Sequence, residues 1–131
     1  MPFRFRLDHG SGVPIYRQII DQVTGSIATG ALVTGDQLPT VRQLAVDLAI
    51  NPNTVIRAYR ELEIREILKT QQGTGTFIGS GKPEGSDSER QRRLNQLIRE
   101  FVARAGSEGF TLQDLVEALG DFQERAAKNG G

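Results

Sequence analysis

After Pro14, apolar residues Ile15, Ile19, Val23 and Ile27 recur every four positions, with Tyr16 and Ile20 widening the stripe. That spacing predicts an amphipathic helix. Pro14 suits the first helical position, because its fixed φ is already helical, and Gly30 ends the helix. A loop is expected from Ala31 to Pro39. A second, short helix follows, with Val41, Leu44, Ala45 and Leu48 on its buried face and its end near Ala49. Thr40 and Gln43 fit a capping box over its first turn. Asn51 then caps a third helix and Pro52 takes its first position, so the connecting turn is only a few residues long. So short a turn forces a sharp crossing, as in a helix-turn-helix. Val55, Ala58, Tyr59 and Leu62 form one face of the third helix, and Asn53, Ile56, Arg57, Arg60 and Ile64 form the other.

Beyond this helix, Leu68–Gln71 and Thr76–Ile78 read as two short strands joined at Gly73-Thr74-Gly75, a wing. Gly79 to Ser88 is a flexible linker by composition. The remainder predicts two more helices. Leu94, Leu97, Ile98, Phe101 and Val102 stripe the first, which stops near Gly106. Leu112, Leu115, Val116, Leu119 and Phe122 stripe the second, which Thr111 and Asp114 open as an acidic form of the capping box. Two helices totalling about 40 residues cannot bury both stripes alone, so a partner surface is expected, most economically a second copy of the chain. No internal repeat is present.

The expected architecture is therefore mostly α: a winged helix-turn-helix of three helices and a β-hairpin over residues 12–79, a linker over 80–87, and a two-helix dimerisation tail over 88–127. The expected dimerisation residues are Leu94, Leu97, Ile98, Phe101, Leu115, Leu119 and Phe122.

Charge complicates this picture. The 16 basic and 16 acidic residues cancel, whereas nucleic-acid binders usually carry a basic surplus. What matters for DNA is where the positive charges sit. Arg42, Arg57, Arg60, Arg65 and Lys69 fall in the reading head, and Glu108, Asp114, Glu117, Asp121 and Glu124 lie in the tail. On the outward face of the third helix, Asn53 can offer a bidentate amide to adenine, and Arg57 or Arg60 can reach guanine or phosphate. Ile56 can meet a thymine methyl or pack against the wing. Arg42, in the first turn of the second helix, is placed to contact the phosphate backbone. The Arg90, Arg92 and Arg93 cluster reads as a solvated helix start within reach of flanking phosphate.

Other chemistries find little support. With no cysteine and one histidine, His9, in a polar stretch, disulfides and thiolate metal sites are excluded. The glycines at 73 and 75 precede a strand, whereas nucleotide-binding loops place theirs between strand and helix. No catalytic constellation accompanies them, so neither an enzyme nor a cofactor is expected. The first residues lack the roughly 7–15-residue apolar core of a signal peptide, and no apolar run approaches the about 20 residues of a membrane span. The expected location is the cytoplasm.

Over about half the chain, Pro14 to Ile78, the residues resemble the DNA-binding domain of the GntR family of bacterial transcription regulators. The resemblance rests on Gly35-Asp36, Leu38 to Ala45 (LPTVRQLA), Thr54-Val55, Ala58 to Glu63 (AYRELE) and Gly73 to Phe77 (GTGTF). The Pro14 to Ile19 start, the Asn51 to Val55 turn and the brief tail look like the YtrA-type subfamily. The resemblance implies a homodimeric repressor of its own operon and neighbouring transporter genes, acting on a palindromic double-stranded DNA operator. It also implies DNA contacts from Arg42, Asn51, Asn53, Thr54 and the wing at Gly75. With the residues read from the exposed faces, the candidate DNA-binding set is Thr40, Arg42, Asn51, Asn53, Thr54, Ile56, Arg57, Arg60, Gly73, Thr74, Gly75 and Thr76. A small-molecule effector is left open. Four positions depart from the family pattern. Glu66 stands where glycine is usual after the recognition helix, Gln71 and Gln72 stand where arginine is common, and Thr34 replaces a frequent proline. Glu66 implies a helix that runs on or ends with strain, and the glutamines imply weaker phosphate anchoring by the wing. A protein-interaction module built on the same winged helix is the alternative reading.

Overall fold

The computed structural model describes residues 3–81 and 85–130. Residues 82–84 of the expected linker lie outside the described residues. The described chain falls into two units, one ending at residue 81 and the other running from residue 85 to residue 129.

The first unit opens with an extended arm that contributes Phe5 to the core. Its Phe3 and Phe5 rings meet edge to face, with centroids 4.7 Å apart. Among the described residues the arm has no strand partner for its backbone, and it borrows one from helix α1, Ile15–Thr29. The Gln22 side-chain amide both accepts from Arg6 N–H (2.8 Å) and donates to Arg6 C=O. Gln18 does the same for Asp8, at 2.8 Å each way. Gln18 also donates to the Val13 carbonyl at 2.9 Å and is itself buried. Two glutamines thus pair backbone groups of Arg6 and Asp8 and hold the arm where Phe5 enters the core.

Helix α1 begins just after Pro14, which takes the N-cap and not the first helical position, and stops at Gly30 in a left-handed conformation (φ 84°). Ile19, Ile20 and Val23 are buried, whereas Ile27 lies at the edge of the stripe and is exposed. Helix α2, Val41–Leu48, carries the expected reciprocal cap: Gln43 N–H donates to Thr40 Oγ1 (3.1 Å) and Thr40 N–H to Gln43 Oε1 (3.2 Å). Helix α3, Pro52–Ile64, starts with Asn53 N–H donating to Asn51 Oδ1 at 2.8 Å. Its Val55, Ala58, Tyr59 and Leu62 form the centre of the core. Burying side chains the size of Val55 and Leu62 contributes about 1.5–3 kcal/mol each.

The expected loop from Ala31 to Pro39 contains one more element, the two-residue strand β1, Gln37–Leu38. Strands β2, Leu68–Gln71, and β3, Gly75–Ile78, form the hairpin, and the sheet order is β1-β3-β2, all antiparallel. Leu68 pairs with Ile78 and Leu38 with Thr76, so this row of side chains faces the core. The Gln37, Phe77 and Lys69 row lies on the opposite face. β1 is too short to show a period of its own; its pairing with a strand some 40 positions away defines it.

Two turns hold non-glycine residues in the left-handed region. Ala49 (φ 54°) joins α2 to α3, and Glu66 (φ 61°) follows α3. The helix does not run on at Glu66; it ends with strain, the second of the two expected outcomes. The turn is locked from outside, because Gly79 N–H donates to Ile67 C=O at 2.7 Å. A Cβ on Gly79 would sit 2.6 Å from the Glu66 carbonyl oxygen, so only glycine fits that approach. A left-handed L-residue costs roughly 1–2 kcal/mol, partly offset by the extra chain entropy glycine loses. Glu66→Gly is therefore expected to raise stability by about 0.5–1 kcal/mol. Urea titration checks this, and an unchanged midpoint would mean that local contacts already offset the strain.

The second unit is a helical pair. Helix α4, Asp87–Ser107, is capped by Ser86, which accepts from Glu89 N–H at 3.3 Å, and continues just past Gly106. Helix α5, Leu112–Gly130, opens with the expected box. Thr111 N–H donates to Asp114 Oδ2 (2.9 Å), and Asp114 N–H donates to Thr111 Oγ1 (3.1 Å). The Thr111 N–H, and after it the Thr111 side chain, hold the Asp114 carboxyl pKa below its ordinary value.

Candidate nucleic-acid interface

Helices α2 and α3 are set at their crossing by a buried ring. Tyr59, on the inner face of α3, donates its hydroxyl to the carbonyl of Pro39, the residue before the α2 cap, at 2.7 Å. Burial pushes its pKa above the ordinary tyrosine value, so the hydroxyl stays a neutral donor. A single side chain thus packs the core of α3 and fixes the entry into α2.

Given that frame, the outer face of α3 is determined by helical spacing. Asn53, Arg57 and Arg60 are exposed, and Ile56 keeps 37% of its surface open. Thr54 is half-buried. Thr40, Arg42 and Asn51 are exposed around the turn. The carbonyl oxygen of Asn51 is committed to the cap, which leaves its amide NH2 as the group facing outward chemistry. Arg57 is held: its guanidinium carbon lies 3.8 Å from the centroid of the Tyr16 ring on α1. Tyr16 reads in the sequence only as part of an apolar stripe, and nothing local marks it as the partner of a residue on α3.

The wing is braced at both ends. At the tip, Thr74 N–H donates to Gln71 C=O (2.9 Å), and the Gln37 side chain donates to Thr74 C=O (3.3 Å). At the base, Thr70 donates to Glu63 Oε1 at 2.9 Å, tying β2 to α3. Gly73 and Thr74 are exposed and Gly75 is half-buried. Thr76 differs from the other expected contacts, being only 7% exposed. It sits on the inner row of β3 opposite Leu38 and Thr70, so its side chain belongs to the sheet's packing. Gln71 and Gln72 are exposed, so the wing surface carries amides where the family pattern has charge.

In the second unit, the two apolar stripes lie open. Leu94, Leu97, Ile98, Phe101, Leu119 and Phe122 are all exposed, Phe101 by 50% and Leu97 by 62%; Leu115 is half-buried. A groove of about 740 Å³ between α4 and α5 is lined by Phe101, Phe110 and Leu115 together with the charged Arg104, Glu108 and Asp121. Arg90, Arg92 and Arg93 are exposed near the start of α4. Among the described residues, no group of histidines, cysteines or carboxylates could hold a metal ion. No helix there is long and apolar enough to cross a membrane.

Comparison with known proteins agrees with this geometry. Residues 15–78 match the family described as "Bacterial regulatory proteins, gntR family". The chain is 36% identical to the uncharacterised HTH-type transcriptional regulator YhcF of Bacillus subtilis, over 87% of this chain and 93% of that protein. It is 35% identical to the HTH-type transcriptional repressor YtrA of the same organism, over 86% of each. Among solved structures, YtrA from Sulfolobus acidocaldarius, described as a GntR-family transcription factor, superposes with a TM-score of 0.56 at 30% identity, over 79% of this chain and 97% of that one. The capped helix pair, the wing and these similarities lead to one assignment: the chain belongs to the GntR family of bacterial transcription regulators, DNA-binding winged-helix proteins and not enzymes, and within it is similar to the YtrA proteins.

Proposed function

We propose that the protein is a homodimeric repressor that binds a palindromic operator through residues 12–79 and pairs through residues 88–127. The observation that carries this reading is the pair of open faces: a polar, exposed α3 in one unit and uncovered apolar stripes in the other. Each α3 enters a major groove, with half-sites about 34–36 Å apart or a multiple of that. Asn53 reads a base edge, Arg42 and Arg60 position the head on phosphates, and the wing tip at Gly73-Thr74-Gly75 touches the neighbouring backbone. The exposed apolar stripes of α4 and α5 cover one another across the dimer. The repressor role is supported by the description of the similar YtrA protein. Control of its own and neighbouring transporter genes rests on the family resemblance. An effector, where one acts, binds the tail groove or the dimer interface.

The test is binding to DNA from upstream of the protein's own gene against scrambled DNA, across a salt series. Selective binding that falls steeply with salt supports the operator reading; equal, weak binding to both rejects it. Within that assay, Asn53→Ala is expected to cost about 1–3 kcal/mol on the operator and much less on scrambled DNA. Arg42→Ala is expected to weaken both DNAs alike and to reduce the salt slope by about one. Equal losses for Asn53→Ala would remove direct readout, and an unchanged slope would make Arg42 a solvated surface residue.

A further inference from the structure

The cation–π contact between Arg57 and Tyr16 joins two elements the reading head otherwise uses for different purposes. Arg57 stands on the outward face of α3, one helical turn from Asn53. Tyr16 stands in the first turn of α1, half-buried at the edge of the core. Among the described residues no carboxylate pairs with Arg57; its one partner is the ring, 3.8 Å from the guanidinium carbon.

The geometry of that contact has a chemical consequence. A guanidinium stacked on an aromatic ring uses its face, while its N–H donors all lie in its plane and point outward from the edge. Stacking therefore leaves the bidentate fork free while removing much of the side-chain motion that an unrestrained arginine must lose on binding. Arg60, on the same surface, has no such support among the described residues. A neutral amide has no charge to set over the ring, and a lysine, though attracted to it, has no planar fork to orient, so the ring and the planar cation make sense as a pair.

We infer that Tyr16 is a positioning residue for DNA recognition: it presents the Arg57 fork, pre-oriented, to a phosphate or guanine edge beside the Asn53 contact. This rests on the operator reading above. It assigns α1, which the sequence marks only as a core helix, a part in the interface.

The test measures affinity for upstream and scrambled DNA with Tyr16→Leu, Tyr16→Phe, Arg57→Ala, Arg57→Lys and the Tyr16→Leu/Arg57→Ala double variant. Arg57→Ala is expected to weaken operator binding about tenfold, the scale of one good bidentate contact. Tyr16→Leu should lose about threefold or more, and Tyr16→Phe, which keeps the ring face, should stay within about twofold of wild type. The double variant should bind no more weakly than Arg57→Ala alone. Arg57→Lys keeps the charge without the plane and should fall close to Arg57→Ala. A readout without DNA accompanies these: the Arg57 side-chain proton shifts caused by the ring current should persist in Tyr16→Phe and vanish in Tyr16→Leu. The inference is overturned if Tyr16→Leu binds like wild type, if its loss adds fully to that of Arg57→Ala, or if Arg57→Lys binds as well as arginine. Arg57 shifts indifferent to the ring would overturn it even if Tyr16→Leu folds poorly. Wild-type protein that does not separate the two DNAs rejects the operator reading itself, and this role for Tyr16 with it.

Discussion

Phe101→Asp is expected to convert the protein to a monomer and to lower its operator affinity by about 10²–10⁴-fold, the gain that linking two binding events supplies. The argument begins with burial. Phe101 lies on the α4 stripe with half its surface exposed, beside Leu97 and Ile98, which are also exposed, and it lines the groove between α4 and α5. A contiguous apolar patch of this kind marks an interaction site. Burying a carboxylate there without a partner costs several kcal/mol, enough to prevent pairing without touching the first unit. Light scattering reads the mass, and anisotropy reads binding to one half-site and to the full palindrome. The expected variant binds a half-site as wild type does and loses only the gain from the second. A variant still dimeric would remove the tail as the pairing surface, and a monomer with full operator affinity would remove the palindrome.

The second large effect concerns the head's own integrity. Tyr59→Ala should cost about 3–5 kcal/mol, the range for deleting a buried aromatic ring. Tyr59→Phe isolates the hydroxyl and should cost about 1–3 kcal/mol, because the Pro39 carbonyl loses its donor. The raised pKa adds a pH signature. Below about 10, the unfolded tyrosine value, folded and unfolded states are both neutral and the contribution is complete. As pH rises further, the unfolded phenol ionises first, so stability falls until the folded pKa is passed. Tyr59→Phe should lack that component of the alkaline decline. Urea titrations at neutral and high pH check both statements. A Tyr59→Phe variant as stable as wild type would mean that the bond to Pro39 contributes nothing net.

What was legible in the sequence was what is local. The caps at Thr40, Asn51 and Thr111 each involve residues two or three positions apart, and all three form as the residue types predict. The β2–β3 hairpin is legible for the same reason. What was not legible depends on chain brought together from far away. β1 exists because Gln37 and Leu38 meet Phe77 and Thr76, and two residues cannot show alternation. Thr76 reads as part of an exposed wing, yet the same pairing turns its side chain inward. Ala49 takes the left-handed turn of the helix-turn-helix without the glycine or asparagine that would signal it. Gln18 and Gln22 carry no local signal of their role, because their partners are backbone groups 10 and 16 positions away. Of the candidate interface, the exposure that helical phase predicts for Asn53, Arg57 and Arg60 was readable, whereas the restraint on Arg57 was not.

The glutamine clasp also works as a length gauge. Gln18 and Gln22 are four residues apart on a helix, a rise of about 6 Å. Their partners Asp8 and Arg6 are two apart on extended chain, a rise of about 6.6 Å. The near equality of these two lengths lets both amides engage at once. It also means that one arm register satisfies both. Deleting a single residue between Arg6 and Asp8 would put these spacings out of step and swing Phe5 from the core toward water. The arm is thus indexed to α1 much as a vernier is indexed to its scale.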